Sequence, residues 1–243
     1  MTRLRSIFFA APLIILSTVF FGSLNILVSL FESTGRAQIR LARAWARLLL
    51  RVSGVKVRVT GLEHIDPNGS YVFISNHLSY MDTPVVLAHV PVQFRFLAKR
   101  GLFQIPFLGQ HLSRAGHIPV PREDPRAAVK TLTIAAETIQ EKKISLLVFP
   151  EGGRSRDGAL RTFKEGGAYI AIKAGVPLVP MVLLGTRNVL PYGSGLVRPG
   201  TVTLRILEPI STQGRSLKNR RELTDELREL IATELAAPAP AAV

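Results

Sequence analysis

The sequence predicts an α/β fold: a central mixed sheet of seven strands covered by helices and preceded by a membrane-associated hairpin of two helices. Three observations carry this. From Val55 onward, short apolar runs of β-like composition alternate with helical stretches, the pattern of a layered domain whose central strands are covered on both faces. Residues 7–31 contain no charged side chain. The arginines that follow them fall on one helical stripe.

The uncharged run, Ile7 to Phe31, is 25 residues long. As a helix it measures about 37 Å, enough to cross a hydrocarbon core of about 30 Å. Arg3 and Arg5 precede it as a positive-inside flank, while Pro12, Gly22 and Asn25 interrupt it. A secretory signal peptide is the rival reading, but the run is long and no small-x-small cleavage site follows it closely. A retained membrane helix, spanning or re-entrant, is expected.

Arg36, Arg40, Arg43, Arg47 and Arg51 recur at spacings of 4, 3, 4 and 4, with Ile39, Ala42, Trp45, Ala46, Leu49 and Leu50 on the other side. A basic amphipathic helix with one Trp reads as an interfacial helix, whose five arginines and Trp45 bind anionic lipid. It equally reads as a helix packed on the domain with a solvated arginine face. Residues 7–31 and 34–52, joined by Glu32–Gly35, would form an αα-hairpin.

Candidate strands follow at Val55–Thr60, Tyr71–Ser75, Phe94–Ala98, His117–Val120, Ile144–Pro150, Pro177–Leu184 and Thr201–Leu207. Candidate helices are Thr83–His89, Ile105–Ala115, Pro125–Lys142, Phe163–Ala174 and Ser216–Leu235. Residues 144–149 are nearly all apolar, as a central strand requires. The chain divides into a hairpin (1–53), an α/β domain (54–236) and a Pro/Ala-rich tail (237–243) expected to be disordered.

Composition narrows the function. The 243 residues carry 31 Lys and Arg against 17 Asp and Glu, a net charge of +14, and no cysteine. Disulfides, thiolate metal sites and a cysteine nucleophile are excluded. At 47% hydrophobic residues the chain is apolar as well as basic. Anionic membrane matches both properties, whereas nucleic acid explains only the charge and is not expected as a partner. Residues 1–60 hold nine basic side chains against Glu32 alone, +8 of the total.

Two motifs stand directly after apolar strands, where side chains reach functional positions. Asn76-His77-Leu78-Ser79-Tyr80-Met81-Asp82 places His77 and Asp82 five apart. On a regular helix these would not face each other, but a loop brings imidazole and carboxylate together, and the carboxylate then fixes the tautomer of the base. The plain alternative is a turn histidine and an Asp capping the next helix. Phe149-Pro150-Glu151-Gly152-Gly153-Arg154-Ser155 offers two glycines for close backbone approach and Arg154 as a planar phosphate fork. Glu151 is placed to bond an acceptor hydroxyl or to hold Arg154. The alternative is a Gly-rich hairpin with a surface ion pair. Lys99 ends FRFLAK, and Arg122 ends HIPVPR. With His77, Asp82 and Arg154 they form one expected pocket of a base, a carboxylate and three cations. His64, His77, His89, His111 and His117 show no metal-ligand spacing, so no metal is implied.

These blocks resemble the 1-acyl-sn-glycerol-3-phosphate acyltransferase family over about residues 50–210, and in its order. NHLSYMD matches its Asn-His-x4-Asp signature. AKRGLFQIPFLG is similar to its Lys-bearing block, HIPVPR to its Arg-bearing strand end, FPEGGRS to its Phe-Pro-Glu-Gly block, and VPLVPM (176–181) to its Pro-containing block. The family commonly has Thr where Gly153 stands and Glu where Gly101 stands, so the acceptor headgroup is less firmly implied than the reaction type.

The resemblance implies acyl transfer from a thioester to the free sn-2 hydroxyl of lysophosphatidic acid, giving phosphatidic acid. His77, oriented by Asp82, would act as general base, Lys99, Arg122 and Arg154 would hold the acceptor phosphate, and Glu151 and Gly152 would contact its glycerol. No cofactor is needed beyond the acyl-CoA or acyl-carrier-protein co-substrate. With no Gly-x-Ser-x-Gly elbow, a covalent serine route is disfavoured. The expected location is the inner face of the cytoplasmic membrane, among its lipids. Arg215, Lys218, Arg220 and Arg221 read as a dock for the donor's carrier, or equally as a solvated helix start. Rival readings are the same chemistry on a lyso-ornithine lipid or other lysophospholipid, a lipid hydrolase, and a non-enzymatic membrane-anchored binder.

Overall fold

The computed structural model describes residues 2–32, 34–105, 108–121 and 124–237. Its first segment is one helical rod: α1 (Thr2–Arg5), a π-helical turn (Ser6–Ala10) and α2 (Ala11–Val28). Pro12 has no N–H for the carbonyl four residues back, and the wide turn just before α2 absorbs that mismatch. From Arg3 to Val28 the rod has a mean hydropathy of 2.2, and by length and composition it can cross a membrane. Its outer face is bare: Ile15, Leu16, Val19 and Phe20 are each 62–64% exposed.

The chain then reverses through Glu32, the one acid of the first 60 residues. The Glu32 carboxylate accepts the Thr34 and Ala37 N–H groups, satisfying orphan donors at the start of α3 (Arg36–Ser53). These bonds, led by that of the Thr34 hydroxyl, hold its carboxyl below the usual range. Gly35 takes φ +75°, so α3 begins two residues later than the sequence pattern suggested. The inner face of α3 (Ile39, Ala46, Leu49, Leu50) belongs to the main core. Trp45 Nε1 donates to Thr18 Oγ1 at 3.1 Å, joining the two helices.

The sheet comprises β1 (Val55–Thr60), β2 (Val72–Ser75), β3 (Phe94–Lys99), β4 (Ile118–Val120), β5 (Ser145–Val148), β6 (Leu178–Leu184) and β7 (Gly200–Ile206), in the order β1-β7-β6-β2-β5-β3-β4. All seven match expected strands, with ends shifted by one or two residues. Every pairing is parallel except β6 with β7. β2 to β6 therefore share one direction, and β1 and β7 run against them.

The alternation along the strands sorts two cores. Phe73, Phe94, Leu147, Met181 and Leu183 pack under α3 and α4 (Asp82–His89). Val72, Ile74, Leu146, Leu178 and Val182 pack under α6 (Pro125–Lys142), α7 (Gly166–Ala174) and α9 (Arg220–Ala236). α5 (Leu108–Arg114) lies beside α2, and α8 (Thr186–Val189) is one turn after β6. Short 3₁₀ turns at Leu62–His64 and Arg100–Gln104, and α8 itself, carry no periodicity that the sequence could reveal. Of the expected tail, only Ala237 falls within the described residues.

The five co-directional strands put their carboxyl ends on one edge, and the chain leaves β2 and β6 there at the middle of the sheet. Crevices at this position bind ligands in open α/β sheets.

Candidate active site

His77 stands two residues past the end of β2, and the loop that carries it is clamped from several sides. Asn76, fully buried, donates to Leu183 O and accepts from Leu183 N, tying the loop to β6. Ser79 Oγ donates to Leu190 O. Asp82, also fully buried, opens α4 rather than capping it from outside. Its Oδ2 lies 2.7 Å from His77 Nδ1 and accepts the Leu78 and Ser79 N–H groups at 2.7 and 2.9 Å. An oxygen receiving two backbone N–H groups is an acceptor, so His77 Nδ1 donates to it. The ring's lone pair is then on Nε2.

The second motif grips the same histidine. His77 N–H donates to Glu151 Oε1 at 2.7 Å, and Ser155 N–H donates to His77 O at 2.8 Å. The Phe149 ring stacks on the imidazole, with centroids 4.0 Å apart and planes 14° apart. Glu151 is only 8% exposed, and its other oxygen accepts Arg161 N–H at 3.2 Å. Burial raises the Glu151 carboxyl above its ordinary value of 4.5, against the pull of those backbone bonds. Both oxygens are thus engaged by backbone, and Glu151 does not pair with Arg154.

Arg154 instead lies between aromatic rings: its Cζ is 3.4 Å from the centroid of Tyr80 and 4.7 Å from that of Tyr192. Gly152 takes φ +73°, and a Cβ there would press on the Lys164 side chain at 3.2 Å. Lys164 therefore stands against the loop as a further cation. No motif in the sequence pointed to it. Lys99 is exposed at the carboxyl end of β3, on the same edge. Arg122, expected to join these cations, lies outside the described residues. Tyr192, far away in sequence, gave no signal.

The arginine stripe of α3 is less uniform than its spacing. Arg36, Arg40, Arg47 and Arg51 are exposed, but Arg43 turns inward and donates to the Val90 and Val92 carbonyls, both at 2.7 Å. Of the basic cluster near α9, Arg215 pairs with Glu226 and Arg220 with Glu165.

Between the hairpin and the domain is a cavity of about 360 Å³, walled mostly by apolar groups including Val19, Phe21, Ile39, Leu87 and Leu112. Thr83 and Leu87 of α4, the helix that begins with Asp82, line it.

At the carboxyl edge, then, stand a base–carboxylate pair, cations that have no carboxylate partner among the described residues, and an apolar cavity close by. The model of the Acyltransferase family matches residues 56–184, and the chain belongs to that family. It is similar to a 1-acyl-sn-glycerol-3-phosphate acyltransferase of Limnanthes douglasii, 38% identical over 165 residues, 68% of this chain and 58% of the relative. The chloroplastic enzyme LPAT1 of Arabidopsis thaliana, of the same name, is 36% identical over 86% of this chain and 60% of its own. The chain thus spans under two thirds of these plant relatives. A yeast protein of that name is 30% identical over 89% of this chain and 72% of its own length. The crystal structure of the 1-acyl-sn-glycerophosphate acyltransferase PlsC of Thermotoga maritima superposes with a TM-score of 0.80, at 26% identity over 97% of both chains.

Proposed function

We propose that the protein is a membrane-associated acyltransferase that moves a fatty acyl group from a thioester to the sn-2 hydroxyl of 1-acyl-glycerol-3-phosphate. The observation that carries this is the His77–Asp82 contact of 2.7 Å, with Nε2 left without a hydrogen-bond partner among the described residues. Nε2 takes the hydroxyl proton as the oxygen forms its bond to the thioester carbon; the carbon–sulfur bond then breaks and the proton passes to the departing thiolate. The acceptor is itself the nucleophile, so no acyl-enzyme forms and no cofactor beyond the thioester, carried by coenzyme A or acyl carrier protein, takes part. Lys99 and Arg154 hold the acceptor phosphate, joined by Arg122, and the loop at Gly152 lies along its glycerol. The apolar cavity accepts an acyl chain.

The bare face of α2 and the exposed arginines of α3 support attachment to anionic lipid, with the active site facing the cytoplasm, the side on which the positive-inside rule puts Arg3 and Arg5. The test is His77→Ala in detergent with purified acceptor. A positioned general base is worth about 10²–10⁴ in rate, so turnover falls at least that far while the fold and vesicle binding persist. Turnover near wild type would sink the mechanism.

One observation favours a second acceptor. Among the described residues nothing lies within 4 Å of the position a Gly153 Cβ would take, leaving open space next to Arg154. A lysolipid with a larger headgroup fits there, and competition between purified lysolipids separates the two readings.

A further inference from the structure

The cations at the carboxyl edge exceed what one acceptor phosphate requires. Besides Lys99, Lys164 and Arg154, two more guanidinium groups join the same surface. Arg156 Cζ lies 5.7 Å from the Tyr192 centroid, so Arg154 and Arg156 share that ring. Arg187, just past β6, donates through Nη2 to Arg156 O at 2.7 Å. Gly158, at φ +93°, leaves room for the Arg187 guanidinium, which a Cβ there would strike.

None of Arg154, Arg156 and Arg187 has a carboxylate partner among the described residues. The nearby acids are engaged elsewhere. Asp157 accepts from Ser155 Oγ and Ala159 N, and Glu151 accepts from His77 N and Arg161 N. The other basic cluster contrasts with this, since Arg215 and Arg220 have carboxylate partners and α9 adds Glu222, Asp225 and Glu229. Like charges gathered without counter-charge repel one another, an arrangement that suits an anionic ligand.

We infer that Arg156 and Arg187, with the exposed rings of Tyr80 and Tyr192, bind the 3′-phosphoadenosine diphosphate end of a coenzyme A thioester. This rests on the acyl-transfer reading. A lysophosphatidate brings one phosphate, which Arg154 and Lys99 suffice to hold. The nucleotide end of coenzyme A brings three phosphoryl groups and a base. Guanidinium forks match the phosphates, and tyrosine rings stack a base. Tyr80 is 65% exposed and Tyr192 37%, so ring surface is accessible beyond what Arg154 covers. An acidic protein carrier has no use for two exposed rings among the cations.

The experiment compares three donors of one acyl chain, acyl-CoA, acyl-pantetheine without the nucleotide, and acyl carrier protein, in wild type, Arg156→Gln and Arg156→Gln/Arg187→Gln. The Arg156 side chain is exposed and makes no hydrogen bond among the described residues, so the single variant keeps the fold. We expect KM for acyl-CoA to rise about tenfold or more in the double variant, the loss of about 1.4 kcal/mol of binding. The loss is confined to the nucleotide-bearing donor, and KM for lysophosphatidate stays put. In calorimetry, adenosine 3′,5′-bisphosphate binds wild type and binds the double variant at least tenfold more weakly. An equal rise for acyl-pantetheine, an unchanged KM for acyl-CoA, or a loss confined to acyl carrier protein overturns the assignment. Nucleotide binding that depends on both arginines, in a wild type that transfers no acyl group from any donor, upholds the site and overturns the reaction.

Discussion

The backbone N–H of His77 donates to Glu151 Oε1 at 2.7 Å, across the boundary between β2 and β5. A residue that the motif spacing would assign to substrate contact instead fixes the strand end from which the base projects. Glu151→Gln keeps the size but sets an NH₂ group against one of two N–H donors. A hydrogen bond to a charged group is worth about 1.5–3 kcal/mol, so we expect that loss of stability and a fall in kcat of about 10–100-fold. KM for the acceptor should stay within about twofold. Thermal unfolding and initial rates check both; a higher KM with kcat intact would put the carboxylate on the acceptor.

Gly35 is held at φ +75° and a Cβ on it would overlap Arg95 Nη2, which donates to Thr34 O at 3.2 Å. Gly35→Ala should destabilise by about 1–3 kcal/mol through backbone strain and the displaced arginine. Differential scanning calorimetry reads the change, and a Tm equal to wild type would refute it.

His111 and His117 stand half-buried against the hairpin, and desolvation lowers the pKa of both below the ordinary value of 6.5. His117 accepts the Phe96 N–H through Nδ1 and therefore sits as a neutral ring. An unfolded chain takes up protons on these rings as pH falls below 6.5, before the folded chain does. Stability is therefore complete above pH 6.5 and declines below it until the folded rings take up protons too. His111→Leu should flatten the decline of Tm between pH 7 and 5.5. An unaltered slope would show that the ring titrates alike in both states.

Arg43 and Arg47 share a helix but not a task. Arg43→Ala leaves the Val90 and Val92 carbonyls without their donor, and should lower stability by about 1–3 kcal/mol. Arg47→Ala should leave Tm unchanged and weaken binding to anionic vesicles about fivefold, the equivalent of about 1 kcal/mol. Vesicle sedimentation and thermal melts on both variants separate the two.

The sheet was legible because its central strands are short, apolar and set between helical stretches, so pattern alone marks Val72–Ser75 and Ser145–Val148. The His77–Asp82 pairing was legible because both residues belong to one short motif, five positions apart. What escaped depends on approach between distant segments. Arg43 looked like its neighbours on the stripe, since spacing reveals a face but not which side chain finds carbonyls. Glu151 looked like a ligand residue because its partners are backbone groups, which have no identity in a sequence. Tyr80 and Tyr192 meet around Arg154 only through the fold.

The strand order has a consequence for how the protein is made. Val55 pairs with Gly200 and Val72 with Leu146 and Leu178, so β1 and β2 leave the ribosome with no neighbour to bond. The apolar α2 emerges before either strand, and α3 presents Ile39, Leu49 and Leu50 long before the sheet they cover exists. Early docking of that hairpin on lipid would shelter these side chains and hold the growing chain at a surface. Closing so many distant contacts is slow. The histidine loop is complete only after Leu183 and Leu190 arrive to hold Asn76 and Ser79, which makes assembly of the site a late event in synthesis.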